Sequence, residues 1–367
     1  MKLKLYIVIL AVMYTIQSYA ITLNSVLDSI ASNNTSLKAK YAEMESKIAG
    51  IKASNNLGDT EIGFEYQKGD NVDGTKYGFS IVQGFDWPGM YLARSKANYS
   101  LINATQCEYN SQRLNILLSA KQLFLEIINS NRKIKAQTEI YNNIKQLSDE
   151  YAKAFNHGEI SILDINKLKI ELLNVKQSLN KSITERNALI EELTYLNGGK
   201  PVIGVENASS YPKDELQAIE VYENQLTTID PEYNYNNAIN KSSEKNISMA
   251  KMGWLPKFSV GYKYANELGD RFNGFSVGMA LPIFSNRNKV SEAKASHSVS
   301  QFSKQDALGE KIALIKSDYK QVVYLREQIH SYNSVLTDSS NVEMLKKALN
   351  GGQITLLNYL MDDRSYR

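Results

Sequence analysis

The residues with the widest chemical range in this 367-residue chain are three histidines, His157, His297 and His330. Imidazole can ligate a metal or move a proton at neutral pH. No two of them stand a helical turn apart, so the spacing of a metal site on one helix is missing. One cysteine, Cys107, offers neither an intrachain disulfide nor a thiolate pair. There is no phosphate-binding glycine loop and no nucleophile motif. The chain therefore reads as a non-enzyme without cofactor or metal. A formal net charge of +3 gives no basic footprint for nucleic acid.

Two short segments concentrate the remaining chemistry. Gly158-Glu159-Ile160-Ser161 is followed by Asp164, and Gly352-Gln353-Ile354-Thr355 recurs near the other end of the chain. Glycine stops a helix by turning left-handed, and Ser161 or Thr355 can cap the next helix by accepting a backbone N–H bond. Asp164 then occupies a capping-box-like position, where a carboxylate favours a helix N-terminus. Either copy alone reads as an ordinary helix reversal. A turn needs only the glycine and the cap, so an exposed isoleucine in both copies points to docking as the competing use.

The elements that carry these turns are long. From Met90 to His157 there is neither Gly nor Pro, which predicts a helix of ~100 Å at about 1.5 Å per residue. Leu117, Ala120, Phe124 and Ile127, then Ile140, Ile144, Leu147, Tyr151 and Ala154, recur at spacings of three and four. A second helix is predicted from Ser161 to Asn197. Ile312, Ile315, Tyr319 and Val322, then Leu325, Ile329, Tyr332 and Leu336, repeat the pattern later. These are narrow coiled-coil seams.

The chain repeats itself at an offset of 196 residues. Gly78-Phe79-Ser80 falls on Gly274-Phe275-Ser276, Tyr66 on Tyr262 and Ala42 on Ala238. Each half reads helix, two strands, long helix. The strands are expected at about 60–67 and 75–84, then 256–265 and 273–282, with polar loops at Lys68–Gly74 and Asn266–Asn273. Ile62, Phe64 and Tyr66 alternate with Glu61, Gly63 and Glu65; Phe79 alternates with Gly78 and Ser80. Phe258, Val260 and Tyr262 oppose Lys257, Ser259 and Gly261, and Phe275 opposes Gly274 and Ser276. One face is apolar and the other small or charged. A soluble sheet with one buried face would alternate in the same way. The strands also have the length that a tilted strand needs to cross a bilayer. Four strands cannot close a membrane barrel, which takes about eight or more, but several chains giving four each could.

At the N-terminus, Lys2 and Lys4 precede the apolar stretch Leu5–Tyr14, and Ser18-Tyr19-Ala20 offers a cleavage site. Residues 1–20 read as a signal peptide. The competing reading, an uncleaved anchor, calls for about 20 apolar residues.

Several motifs resemble one family. Trp254-Leu255-Pro256-Lys257-Phe258 resembles the entry to the barrel strands of TolC-family outer-membrane efflux proteins. Leu281-Pro282-Ile283-Phe284-Ser285-Asn286-Arg287-Asn288 and Phe85-Asp86-Trp87-Pro88-Gly89 resemble the exits into the long helices, and Gly158-Glu159-Ile160-Ser161 resembles the tip signature. The metal-cation branch is closest in feel, though Met90-Tyr91 replace its basic pair.

The resemblance implies a mainly α fold with β, two structural repeats, and a helical barrel carrying a four-strand share of a twelve-stranded trimeric β-barrel. Residues 21–200 would form repeat 1, with its tip at 156–161. Residues 201–230 would be an equatorial linker. Residues 231–367 would form repeat 2, with its tip at 350–355, and this repeat reads as C-terminally truncated. Implied partners are two further copies, outer-membrane lipid, a periplasmic adaptor at the tips and an inner-membrane pump of RND or ABC type. The implied function is the exit duct of a tripartite efflux or type I secretion system, passively exporting small molecules, metal cations or drugs. Asp164, Asn358 and Asp362 are the candidates for the aperture, where aspartates are usual after the second tip. A secreted coiled-coil scaffold or adhesin is the alternative.

Overall fold

The computed structural model describes residues 21–69, 74–158, 160–213, 215–336 and 340–366. The leader read at 1–20 and the tip residue Glu159 lie outside the described residues. Nine α-helices and four strands follow in order among the described residues: α1 (Leu23–Asn33), α2 (Thr35–Ala53), β1 (Thr60–Lys68), β2 (Thr75–Phe85), α3 (Pro88–Asn156), α4 (Ile162–Leu196), α5 (Ile219–Ile229), α6 (Pro231–Met252), β3 (Lys257–Glu267), β4 (Asp270–Ala280), α7 (Lys289–Leu336), α8 (Ser340–Asn350) and α9 (Leu356–Tyr366). α5 lies within the stretch read as linker, and it stands 196 residues after α1.

The chain forms two compact units. The first gathers the chain up to Leu37, Asn115–Leu216 and everything from Lys320. Its larger core joins Val26 and Ile30 of α1, Phe124, Ile127 and Ile128 of α3, Leu193 of α4, and Val205 and Ala208. The linker is held onto α3 by polar bonds as well. Asn131 Nδ2 donates to Val205 O (3.1 Å) and Ala208 O (2.8 Å), and Arg132 Nε donates to Ser209 O (2.7 Å).

Capping chemistry sets the ends of these helices. Thr22 and Ser25 form a reciprocal capping box at the start of α1. Buried Asn34 accepts from Leu37 N (2.7 Å) at the start of α2 and donates to Leu196 O (2.7 Å) at the end of α4. Just beyond, Gly198 has φ +68, and a Cβ there would lie 2.5 Å from Asn33 O. Both facts demand glycine where the end of α4 meets α1.

The second unit comprises Lys38–Leu114 and Gln217–Tyr319 and holds the sheet. All four strands pair antiparallel in the order β1-β2-β3-β4, so the central β2–β3 pairing joins the two sequence repeats. β4 starts three residues earlier than its alternation suggested. Leu268 (φ 56) and Gly269 (φ 101) make a two-residue turn with both central residues left-handed, where a longer polar loop was expected. Glu267 therefore already pairs with Asp270. The ladder ends at Ala280, before Pro282, which has no N–H to give.

Candidate functional site

The register aligns the alternating residues into rows across all four strands. Ile62, Ile81, Tyr262 and Phe275 form one row, and Phe64, Phe79, Tyr264 and Asn273 the next. Toward the base lie Gln83, Val260 and Val277, then Phe85, Phe258 and Met279. Tyr66, Tyr77, Asn266 and Arg271 close the opposite end. All eight residues read as membrane-facing, from Ile62 to Phe275, share this face. Tyr77, Ile81, Tyr264, Val277 and Met279, which alternate in step with them, complete it. Rings meet at 5.8 Å (Tyr262–Phe275) and 5.6 Å (Phe79–Tyr264).

This apolar face is not a buried core. Ile62 is 77% exposed, Phe64 75% and Phe275 86%. Among the described residues nothing covers it, which removes the reading of a soluble sheet with one face packed inside this chain. An apolar surface of this kind calls for lipid or another protein.

The opposite face mixes small residues with charged ones. A Cβ on Gly78 would lie 2.5 Å from Tyr264 O, and one on Gly261 2.8 Å from Ile81 O. Bulk on one side and bare backbone on the other suit a wall that curls toward its small-residue face. Phe272, 56% exposed, sits on this polar face, in register with Ala265, and alternation alone did not single it out. β1 and β4 each leave an edge unpaired within the chain.

At the base of the sheet, Asp86 gathers two cations. Its Oδ2 accepts from Arg94 Nη2 (2.8 Å), and its Oδ1 lies 3.3 Å from Lys257 Nζ. This ties the exit from β2 to the entry of β3. Trp87 lies against Phe258 with ring centres 5.9 Å apart and the planes tilted by 39°.

In the first unit, both tip turns form as their glycines predict. Gly158 (φ 77) and Gly352 (φ 68) are left-handed. Ser161 Oγ accepts from Asp164 N (3.2 Å) and donates to Asp164 Oδ2 (2.8 Å), and Thr355 Oγ1 accepts from Asn358 N (3.3 Å). One core joins the helices on both sides of both turns: Leu147, Leu168, Leu349, Leu356 and Tyr359. Asn143 Nδ2 donates to the Tyr359 hydroxyl at 2.8 Å. Nearby, burial and then the Asp164 carboxylate push the Tyr151 phenol above its ordinary value, keeping it neutral.

The isoleucines differ from expectation. Ile160 and Ile354 are half-buried, and Ile354 packs on the shared core. Just beyond the first turn, Ile162 (51%) and Leu163 (66%) are exposed apolar side chains, and Phe155 (38%) before it is less so. Gln353 is exposed, as are Asn358 and Asp362, while Asp164 is half-buried and committed to its cap and to Lys167 at 3.5 Å. Among the described residues no three His, Cys, Asp or Glu side chains cluster to hold a metal, and no helix is long and apolar enough to cross a membrane.

No family model matches this chain, and no curated protein matches it in sequence. Solved structures do. A membrane protein from Pseudomonas aeruginosa superposes with a TM-score of 0.77 at 14% identity, over 94% of this chain and 86% of its own. The Campylobacter jejuni CmeC outer membrane channel gives 0.72 at 18%, over 94% and 80%. The Vibrio cholerae outer membrane protein VceC gives 0.72 at 14%, over 94% and 89%. The fold is that of the TolC-type channels. In TolC-type terms, the four-stranded sheet is the contribution to the barrel and the long helices are the contribution to the tunnel.

Proposed function

We propose that this chain is the exit duct of a tripartite efflux or type I secretion system, set in the outer membrane with its helices in the periplasm. One observation carries the reading: a largely apolar sheet face, exposed over most of its rows, with two edges unpaired within the chain. Three copies would join β1 to β4 in turn, making twelve strands and leaving no edge, as a membrane barrel requires. The pore would pass small molecules, metal cations or drugs passively. A periplasmic adaptor and an inner-membrane pump of RND or ABC type would supply selection and energy. The channel role of the similar structures supports this reading.

The adaptor would dock at the tips, on Gly158–Ser161 and Gly352–Thr355, with Ile162 and Leu163 beside them as the exposed apolar contacts. Asp164, Asn358 and Asp362 would line the aperture.

Expression in a Gram-negative host, followed by membrane fractionation and crosslinking, tests the duct. The expected species is a three-chain adduct in the outer membrane. A monomer released by a high-salt wash overturns the reading. Ile162→Asp with Leu163→Asp tests docking. Assembly should persist while adaptor crosslinks and export are lost, and intact export would remove the tips from the docking surface.

A further inference from the structure

The apolar face of the sheet is too short for a bilayer. From Tyr77 to Phe85, β2 advances ~26 Å at about 3.3 Å per residue. At a tilt of about 40° this spans ~20 Å along the membrane normal, against an apolar band of about 25 Å in such barrels. Roughly 5 Å of lipid-facing surface is missing. It cannot be added at the turn end, because the next row beyond Tyr77 pairs Lys68 with Thr75. It must come from the base.

The base has apolar side chains with no structural employment inside the chain. Trp87 extends the Phe85–Phe258–Met279 row, its ring tilted against that of Phe258. Leu281 is 57% exposed, Ile283 64% and Phe284 86%. Ile283 N–H donates to Leu281 O at 2.9 Å, a three-residue turn about Pro282 that holds these side chains outward. At the first junction Asp86 draws Arg94 and Lys257 into one group, and Lys257 stands on the polar face.

We infer that the strand-to-helix junctions dip into the inner-leaflet interface, with Trp87, Leu281, Ile283 and Phe284 contacting phospholipid at the level of the glycerol backbone and upper acyl chains. This deepens the membrane reading above and rests on it. Indole suits that level because its body is apolar and its N–H polar. The bilayer boundary then lies below the last residue of the sheet rather than at it.

The chain has only two tryptophans, Trp87 and Trp254, so fluorescence can read each one alone. The channel is reconstituted into phosphatidylcholine vesicles brominated either near the headgroup end or near the end of the acyl chain. With Trp254→Phe, Trp87 should lose most of its emission to the shallow bromines and much less to the deep ones. A reporter at mid-face, Phe275→Trp with both native tryptophans changed to Phe, should instead be quenched by the deep bromines. If the reporter is quenched and Trp87 is not, the junction lies outside lipid or under a neighbouring copy, and the inference fails while the membrane reading survives. If neither is quenched, both fail. Phe284→Trp in the same background repeats the test at the second junction, and quenching by aqueous acrylamide instead of bromolipid overturns it there.

Discussion

The two repeats solve the same packing problem with different chemistry. In repeat 1, α2 meets α3 through the ion pair Lys47–Glu108 (3.1 Å) and the edge-on rings of Tyr41 and Tyr109. In repeat 2, 196 residues on, Lys47 becomes Ser243, Glu108 becomes Lys304 and Ala104 becomes Ser300. There α6 meets α7 through hydroxyls: Ser243 Oγ lies 2.6 Å from Ser300 Oγ and 3.0 Å from His297 Nδ1, and Ser300 Oγ donates to Asn240 Oδ1 at 3.1 Å. Lys304 reaches Asn237 Oδ1 at 2.9 Å and lies over the Tyr233 ring. The junctions differ in the same manner. Repeat 1 has the Asp86 ion group, and the equivalent position in repeat 2 is Pro282. The backbone path is thus specified by where apolar and small residues fall, while the polar contacts between helices are interchangeable.

The sheet gives the largest test of that equivalence. Phe79→Arg and Phe275→Arg, 196 residues apart, should each cost ~2–4 kcal/mol of insertion free energy if they sit near the midplane. Ser80→Arg and Ser276→Arg, on the other face, should cost less. The folded fraction recovered in membranes measures all four. Equal losses on both faces would break the face assignment, and unequal losses between repeats would break their equivalence.

The junctions come next. Asp86→Asn leaves Arg94 and Lys257 without their carboxylate, and about 1–3 kcal/mol of stability should go with it, since Asp86 and Arg94 are about four-fifths buried. Pro282→Ala should shift the thermal midpoint in detergent far less. Comparable shifts would show that the ion group contributes nothing that the open junction lacks.

The helix seams should respond least. Ser300→Ala removes the hydroxyl that links Ser243 to Asn240, with an expected loss of about 1 kcal/mol. Lys47→Ala breaks a largely exposed pair and should cost ~0–1 kcal/mol. Urea unfolding of the two variants side by side orders them, and a larger loss for Lys47→Ala would reverse the comparison.

Much of this was legible from pattern. Period-two alternation placed the four strands and put all eight chosen residues on one face, because a strand can only present them that way. Gly158, Gly352, Ser161 and Thr355 marked both turns because left-handed glycine and hydroxyl capping are local effects. What escaped were contacts made by residues distant in sequence. Ile354 packs on a core that includes Leu147 and Leu168, each more than 150 residues away. The early start of β4 came from a Leu-Gly pair in a turn usually built from Asn-Gly or Asp-Gly. Helix α5 was hidden by its polar, proline-flanked surroundings. Trp87 could have been found, since a tryptophan just beyond an alternating strand is a membrane-interface signal in its own right.

The core shared by the tips constrains how this end of the molecule can move. Tyr359 is almost wholly enclosed, and its hydroxyl is held by Asn143 from the other repeat. To swing one hairpin away from the other, the chain must bring that ring into water and break that bond in the same step. A displacement of either turn is therefore opposed by the packing of its neighbour. Two hairpins joined by one core share the cost of any separation between them.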